Sequence, residues 1–299
     1  MKKIYVMGSL NMDMSIRTPT LPQAGETLHG EEFLCNSGGK GANQAVAASL
    51  LGGNVVMLGG VGNDLFGAQL KNTLLGFNVD VSNVVTKQCA SGVAVVILHN
   101  GDNRIILSSG ANYCYGIDDY KEVLQKNACK SDLFVAQLET KSENVFEGLK
   151  LAKKMGMTTL LNPAPAIKLS AEAYANTDII VPNLTEARIL TEQENISDCL
   201  NKFLSLGVKN VIITLGSEGC LAHSGQFTQM IAAHKVETVD TTAAGDTFIG
   251  ALACRIAKGE SFFEACRYAN AAAALTVTKR GAQQSMPSES EVENFIKEK

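Results

Sequence analysis

The sequence predicts an α/β fold of three layers, αβα, with a mostly parallel central sheet and a small second β unit. Three observations carry that prediction. Strand-like and helix-like stretches alternate over most of the chain. The strand-like stretches, such as KIYVMG (3–8) and DLFVAQL (132–138), lack polar–apolar alternation, as strands buried on both faces do. Two stretches break this pattern: 14–34, β-like pieces interrupted by Pro19, Pro22, Gly25 and Gly30, and 91–108, where GVAVVILH and NRIILS flank the hairpin-turn signal Asn100-Gly101. The main unit then comprises 1–13, 35–90 and 109–299, and the small one 14–34 and 91–108.

In chain order, 3–8 is the first buried strand, and its carboxyl end delivers Asn11 and Asp13 where open α/β sheets place ligands. An Asx turn is the competing reading of those two residues. A glycine-rich turn feeds a helix at 44–51, the apolar run 54–58 is the next strand, and 65–75 is helical. Past the hairpin come helices at 120–125, 142–155, 186–191 and 198–206. Strands at 132–138, 158–161, 178–181 and 210–215 are set among them. The segment 234–239 reads as a strand, and the apolar 247–257 and alanine-rich 265–275 as helices. No repeat or low-complexity segment interrupts this order.

Composition narrows the function classes. At 299 residues, with 45% hydrophobic and 19% charged residues, the chain can bury a sizeable core. A net charge of −4 argues against a nucleic-acid or anionic-membrane partner. No apolar run is long enough to span a bilayer, and MKKIYVMG reads as a strand rather than a leader. The eight cysteines contain no CxxC, so most are expected buried and reduced, in the cytoplasm. His29, His99, His223 and His234 are isolated, with no metal-ligand spacing.

The chain is organised around 239–250, VDTTAAGDTFIG. A small-residue turn there meets the start of an apolar helix opened by Asp246. Free N–H groups of Ala243, Ala244, Gly245 and Asp246 would favour an anion, with a carboxylate beside it able to accept a hydroxyl proton. The alternative is an ordinary N-cap at Asp246. A second stretch, SGGKGAN (37–43), sets Gly39, Lys40 and Asn43 where backbone and polar groups could close around a polyhydroxylated ligand. It is neither a Walker A loop nor GxGxxG, so an NAD-dependent oxidoreductase has no support.

Together these stretches resemble the ribokinase (PfkB-type) carbohydrate kinase family, with 38–62 matching its first signature and 240–253 its second. The similarity runs from GSLNMD (8–13) to KRGAQQSMP (279–287). It implies a ribokinase-like fold whose small β unit is a lid pairing with a second subunit's lid, hence a homodimer. It implies ATP-dependent phosphorylation of a primary hydroxyl, O5 of D-ribose, with Asp246 as base and the 243–246 N–H groups as anion hole. Asn11, Asp13, Gly39, Lys40, Asn43 and Glu139 would hold the sugar. Asn183 and Glu186 would place Mg²⁺ beside the ATP phosphates, although they also read as a capping box. Thr214, Gly216 and Gly219, with Gly245 and Asn270, would contact the nucleotide. Asp240, Thr242, Thr276, Lys279, Gly281 and Ser285 match a K⁺ site; Gln284 departs from the family's usual proline. Deoxyribose, a ribonucleoside and a hexose derivative are the alternative substrates, and a non-catalytic sugar sensor the alternative class.

Overall fold

The computed structural model describes residues 2–100 and 102–298. In chain order its strands are β1 (Lys3–Met7), β2 (Asn11–Arg17), β3 (Glu31–Gly38), β4 (Asn54–Gly62), β5 (Val84–Lys87), β6 (Gly92–His99), β7 (Asp102–Ser108), β8 (Leu133–Ala136), β9 (Thr158–Leu161), β10 (Ile179–Ile180), β11 (Asn210–Thr214), β12 (Cys220–Ser224) and β13 (Phe227–Ile231). Nine form one sheet in the order β13-β12-β11-β10-β9-β8-β1-β4-β5, parallel except for β12 and β13 at one edge. The other four form a second sheet in the order β3-β2-β6-β7.

β1 explains why the strands lack alternation. Ile4 and Val6 enter a core under helices Lys40–Leu50, Ala244–Lys258 and Phe262–Thr276, while Tyr5 and Met7 enter a second core under helices Ile117–Asn127, Ser142–Lys154 and Ile196–Ser205. Both faces are covered, so no position is free to be polar. The result is the expected three-layer α/β architecture.

Helices Lys40–Leu50 and Ala244–Lys258 cross at Gly250. A Cβ there would lie 2.6 Å from the Ala47 Cβ and 2.7 Å from the Ala48 nitrogen and Gln44 oxygen. Gly250→Ala is therefore expected to lower unfolding free energy by about 1–3 kcal/mol in a denaturant titration. This crossing matters functionally, because it brings the first turn of one helix against the first turn of the other.

Several sequence expectations are corrected. Residues 234–239 form no strand. The sheet edge is taken instead by the hairpin β12–β13, whose register places Cys220 opposite Ile231, and the chain beyond joins no sheet. The carboxyl end of β1 leads, across three residues, to Asn11 and Asp13, which lie not in a turn but on β2 of the second sheet. Helix Lys40–Leu50 begins at Lys40, so the predicted loop shrinks to Gly39, whose φ of 91° a side chain would strain. β5, β12, β13, the short helices Ala111–Cys114 and Ala171–Ala175 and the helix Glu289–Lys297 had no counterpart in the sequence reading. β6 and β7 pair antiparallel as the hairpin signal requires; Gly101 lies outside the described residues. Of the eight cysteines four are buried, not most. No described helix is long and apolar enough to cross a membrane.

Candidate active site

Helix Ala244–Lys258 begins two residues before Asp246, with Ala243 in the left-handed region (φ 60°) as its N-cap. Asp246 is thus a first-turn residue and caps nothing. Its carboxylate turns to the neighbouring helix: Asn43 Nδ2 donates to Oδ2 and Gln44 Nε2 to Oδ1, both at 3.0 Å. The Ala244 N–H turns to Thr241 O at 3.3 Å and the Thr247 N–H to Ala243 O at 2.8 Å. Those of Gly245 and Asp246 find no acceptor among the described residues. Two unsatisfied donors at a helix start beside a carboxylate make a site for an anion next to a proton acceptor.

Two cavities meet there. The smaller, about 240 Å³, is lined by Lys40, Glu186, Ala243, Gly245 and Asp246; the larger, about 740 Å³, by Gly216, Gly219, Phe248 and Asn270. Asn183, Thr214, Thr241 and Gly245 border both. His234, Lys235, Val236 and Thr238, from the segment that forms no strand, line the larger cavity.

Around the smaller cavity, Glu139 Oε2 accepts from Ser9 Oγ (2.6 Å) and from the Lys40 N–H (3.1 Å). Burial acts to lower the Lys40 pKa, but Asp246, Glu139 and Glu186 outweigh it and raise it above the ordinary value. Burial, then Glu139 and Asp246, push the Asp13 carboxyl up to about 7. Asn11 Oδ1 accepts from Asn112 Nδ2 at 2.7 Å, and Asn112 is also tied to the Leu10 backbone. Nothing in the sequence pattern singles Asn112 out, because it sits on a four-residue helix after the second sheet.

The remaining predicted residues fall in two groups. Asn183 and Glu186 form the reciprocal capping box, with Oδ1 accepting from Glu186 N and Oε2 from Asn183 N, both at 2.8 Å. Burial raises the Glu186 pKa, against the Asn183 hydrogen bond and Lys40. Asn270 Nδ2 donates to Ile231 O at 3.1 Å, fixing it on the wall of the larger cavity. Asp240 holds two of the predicted cation residues, Thr242 and Gly281. Its carboxylate accepts from Thr242 N (2.9 Å), Thr242 Oγ1 (2.7 Å) and, across the fold, Gly281 N (3.0 Å). Burial pushes the Asp240 carboxyl up, but these bonds and Arg280 hold it below the ordinary value. Lys279 N donates to Thr276 O, and Ser285 Oγ to Ala282 O. Gln284, in place of proline, reaches Asn36 Oδ1 on β3 at 3.2 Å.

Comparison with known proteins gives the arrangement its lineage. Residues 1–289 match the pfkB family of carbohydrate kinases. The ribokinase of Schizosaccharomyces pombe is 42% identical over 98% of this chain and 97% of its own length. A deoxyribokinase from Salmonella typhi is 35% identical, covering 98% of each. The structure of Arabidopsis thaliana ribokinase complexed with ribose and ATP superposes with a TM-score of 0.91 at 32% identity, covering 99% of both chains. With the family match spanning nearly the whole sequence and relatives of full-length coverage, this chain belongs to the pfkB family of carbohydrate kinases.

Proposed function

We propose that the protein transfers the γ-phosphate of ATP to the O5 hydroxyl of D-ribose, giving ribose 5-phosphate. The observation that carries this reading is the Asp246 carboxylate, fixed by two amides, beside the free N–H groups of Gly245 and Asp246 where the two cavities meet. ATP fills the larger cavity, its adenine against Asn270 and its phosphates passing Thr214, Gly216 and Gly219. Ribose lies by Asn11, Asp13, Gly39, Lys40, Asn43 and Glu139. Asp246 accepts the O5 proton during in-line attack, and the Ala243–Asp246 turn stabilises the transferring group.

Glu186 suits Mg²⁺: its Oε2 serves the cap, leaving Oε1 for a hydrated ion, which supplies charge neutralisation at the phosphates. The carboxylate of Asp240, with the carbonyl and hydroxyl oxygens of Thr242, Thr276, Lys279, Gly281 and Ser285, suits a weakly hydrated cation such as K⁺. That ion would hold the 240–246 turn in shape rather than touch substrate. Exposed Phe33, Leu34, Ile105, Ile106 and Leu107 put apolar side chains on both faces of the thin second sheet, which a second subunit's sheet would help to cover in a homodimer. In this reading the second sheet is the lid; its strands run past the expected 14–34 segment at both ends, from Asn11 to Gly38, and lie within the expected 91–108. The free thiols accord with a cytoplasmic setting.

Asp13 gives a pH signature. Ionised, it accepts from two sugar hydroxyls; protonated, it accepts from fewer. Since its pKa is raised to about 7, kcat/KM for ribose is expected to fall as pH drops through about 7. The sign for stability is the reverse. The unfolded chain releases this proton at lower pH, so the group costs the free protein stability as pH rises towards 7. An Asp13→Asn variant should flatten both profiles.

A coupled ADP-release assay with ATP and Mg²⁺ tests the whole. Ribose, 2-deoxyribose, fructose, adenosine and uridine are compared with and without K⁺. Selective turnover of ribose, raised by K⁺, is the expected result. Preference for 2-deoxyribose, as the Salmonella relative's name suggests, keeps the mechanism and overturns the substrate. Silence across the panel with ribose-induced stabilisation would mark a sensor.

A further inference from the structure

Helix Lys40–Leu50 packs its first turns among alanines, yet Gln44 sits at 1% exposure. A buried primary amide is unfavourable unless its donors and acceptor are met. Here they are. The two Nε2 hydrogens go to Asp246 Oδ1 (3.0 Å) and Asn162 Oδ1 (3.1 Å), and Oε1 accepts from Gln137 Nε2 (2.6 Å). We propose that Gln44 is a positioning residue for the Asp246 base, with its own amide oriented by Asn162 and Gln137. This rests on Asp246 being the base.

The direction of the chain is set by a backbone carbonyl. Val181 O can only accept, so Asn162 turns Nδ2 to it at 2.8 Å and presents Oδ1 to Gln44. Gln44 must then present its N–H groups, one of which meets the carboxylate. On the other side, Gln283 Nε2 donates to Asn43 Oδ1 at 3.1 Å, so Asn43 also presents N–H to Asp246. Each carboxylate oxygen receives one fixed donor and keeps a lone pair for the substrate proton. Rotation of the carboxylate would break both bonds, so its plane stays set for in-line attack.

The outer ends of both chains support a functional rather than a packing role. Gln137 Oε1 and Gln283 Oε1 are buried and meet no donor among the described residues. The amides are turned donor-inward, leaving those oxygens unsatisfied, which a core shaped for stability alone would avoid with apolar side chains.

The test is Gln44→Met, close in length but without donors. We expect kcat to fall about 10- to 100-fold, as small misplacements of a reacting group do, with KM for ribose and ATP within about threefold and the melting transition retained. In an Asp246→Ala background the same change should alter the residual rate by less than about threefold, because no carboxylate remains to be oriented. A folded Gln44→Met with wild-type kcat, a rise in KM alone, or an equal loss in both backgrounds overturns the proposal. If Gln44→Met does not fold, Gln137→Met is read the same way: a smaller kcat loss supports the chain, and an unchanged kcat overturns it. Substantial turnover by Asp246→Ala itself would instead refute the base reading, a separately visible outcome.

Discussion

Asp246→Asn is expected to lower kcat by about 10²- to 10⁴-fold, the range that a positioned general base contributes. Ribose and ATP dissociation constants should move by less than about threefold, because shape and the surrounding donors remain. The structure adds a second expectation. The new amide NH₂ must face either Asn43 Nδ2 or Gln44 Nε2, and both are donors whose directions are fixed by their own partners. That conflict should cost about 1–3 kcal/mol of stability, visible as a lowered melting temperature. Asp246→Ala removes the carboxylate without creating the conflict. A matching kcat loss in the two variants, with different melting temperatures, separates the lost base from the misplaced amide. Retention of turnover within about tenfold of wild type by a folded Asp246→Ala would sink the assignment.

The residues that local chemistry singles out were legible in the sequence; those that act across the fold were not. The 243–246 turn and Asp246 could be seen because a small-residue turn before an apolar helix is a local signal. Whether Asp246 capped its helix or faced a ligand could not be decided locally, since that depends on the helix beginning at Ala244 and on what crosses it. Gln44 was in view, next to Asn43, but in isolation it is one polar residue among alanines. Its partners Gln137, Asn162 and Asp246 lie 93, 118 and 202 positions away in the chain. The buried parallel strands were readable from their uninterrupted apolar runs. The hairpin β12–β13 was not, because an edge position leaves Phe227 and Met230 exposed and its burial pattern weak. The 234–239 segment has strand-like composition, but the preceding hairpin already occupies the sheet edge.

Gly245→Val should separate the anion hole from the turn that builds it. Gly245 has no unusual φ, and a Cβ added there meets nothing within 4 Å, so the fold has room for a side chain. Valine also has the better helix propensity, which adds a few tenths of a kcal/mol of stability. That open space is the wall shared by the two cavities. A branched side chain would stand where the transferring phosphoryl group must approach the Gly245 and Asp246 N–H groups. Losing such a donor contact costs about 10²- to 10³-fold, so kcat/KM for ATP should fall by that order while the melting temperature holds or rises. Opposite movement of rate and stability is the informative outcome, because a glycine needed only for the turn would lower both when replaced. If the variant is stable and fully active, the phosphoryl group does not pass this helix start. Asp246 would then have no preorganised charge partner beside it, and the geometry would no longer favour in-line transfer at this junction.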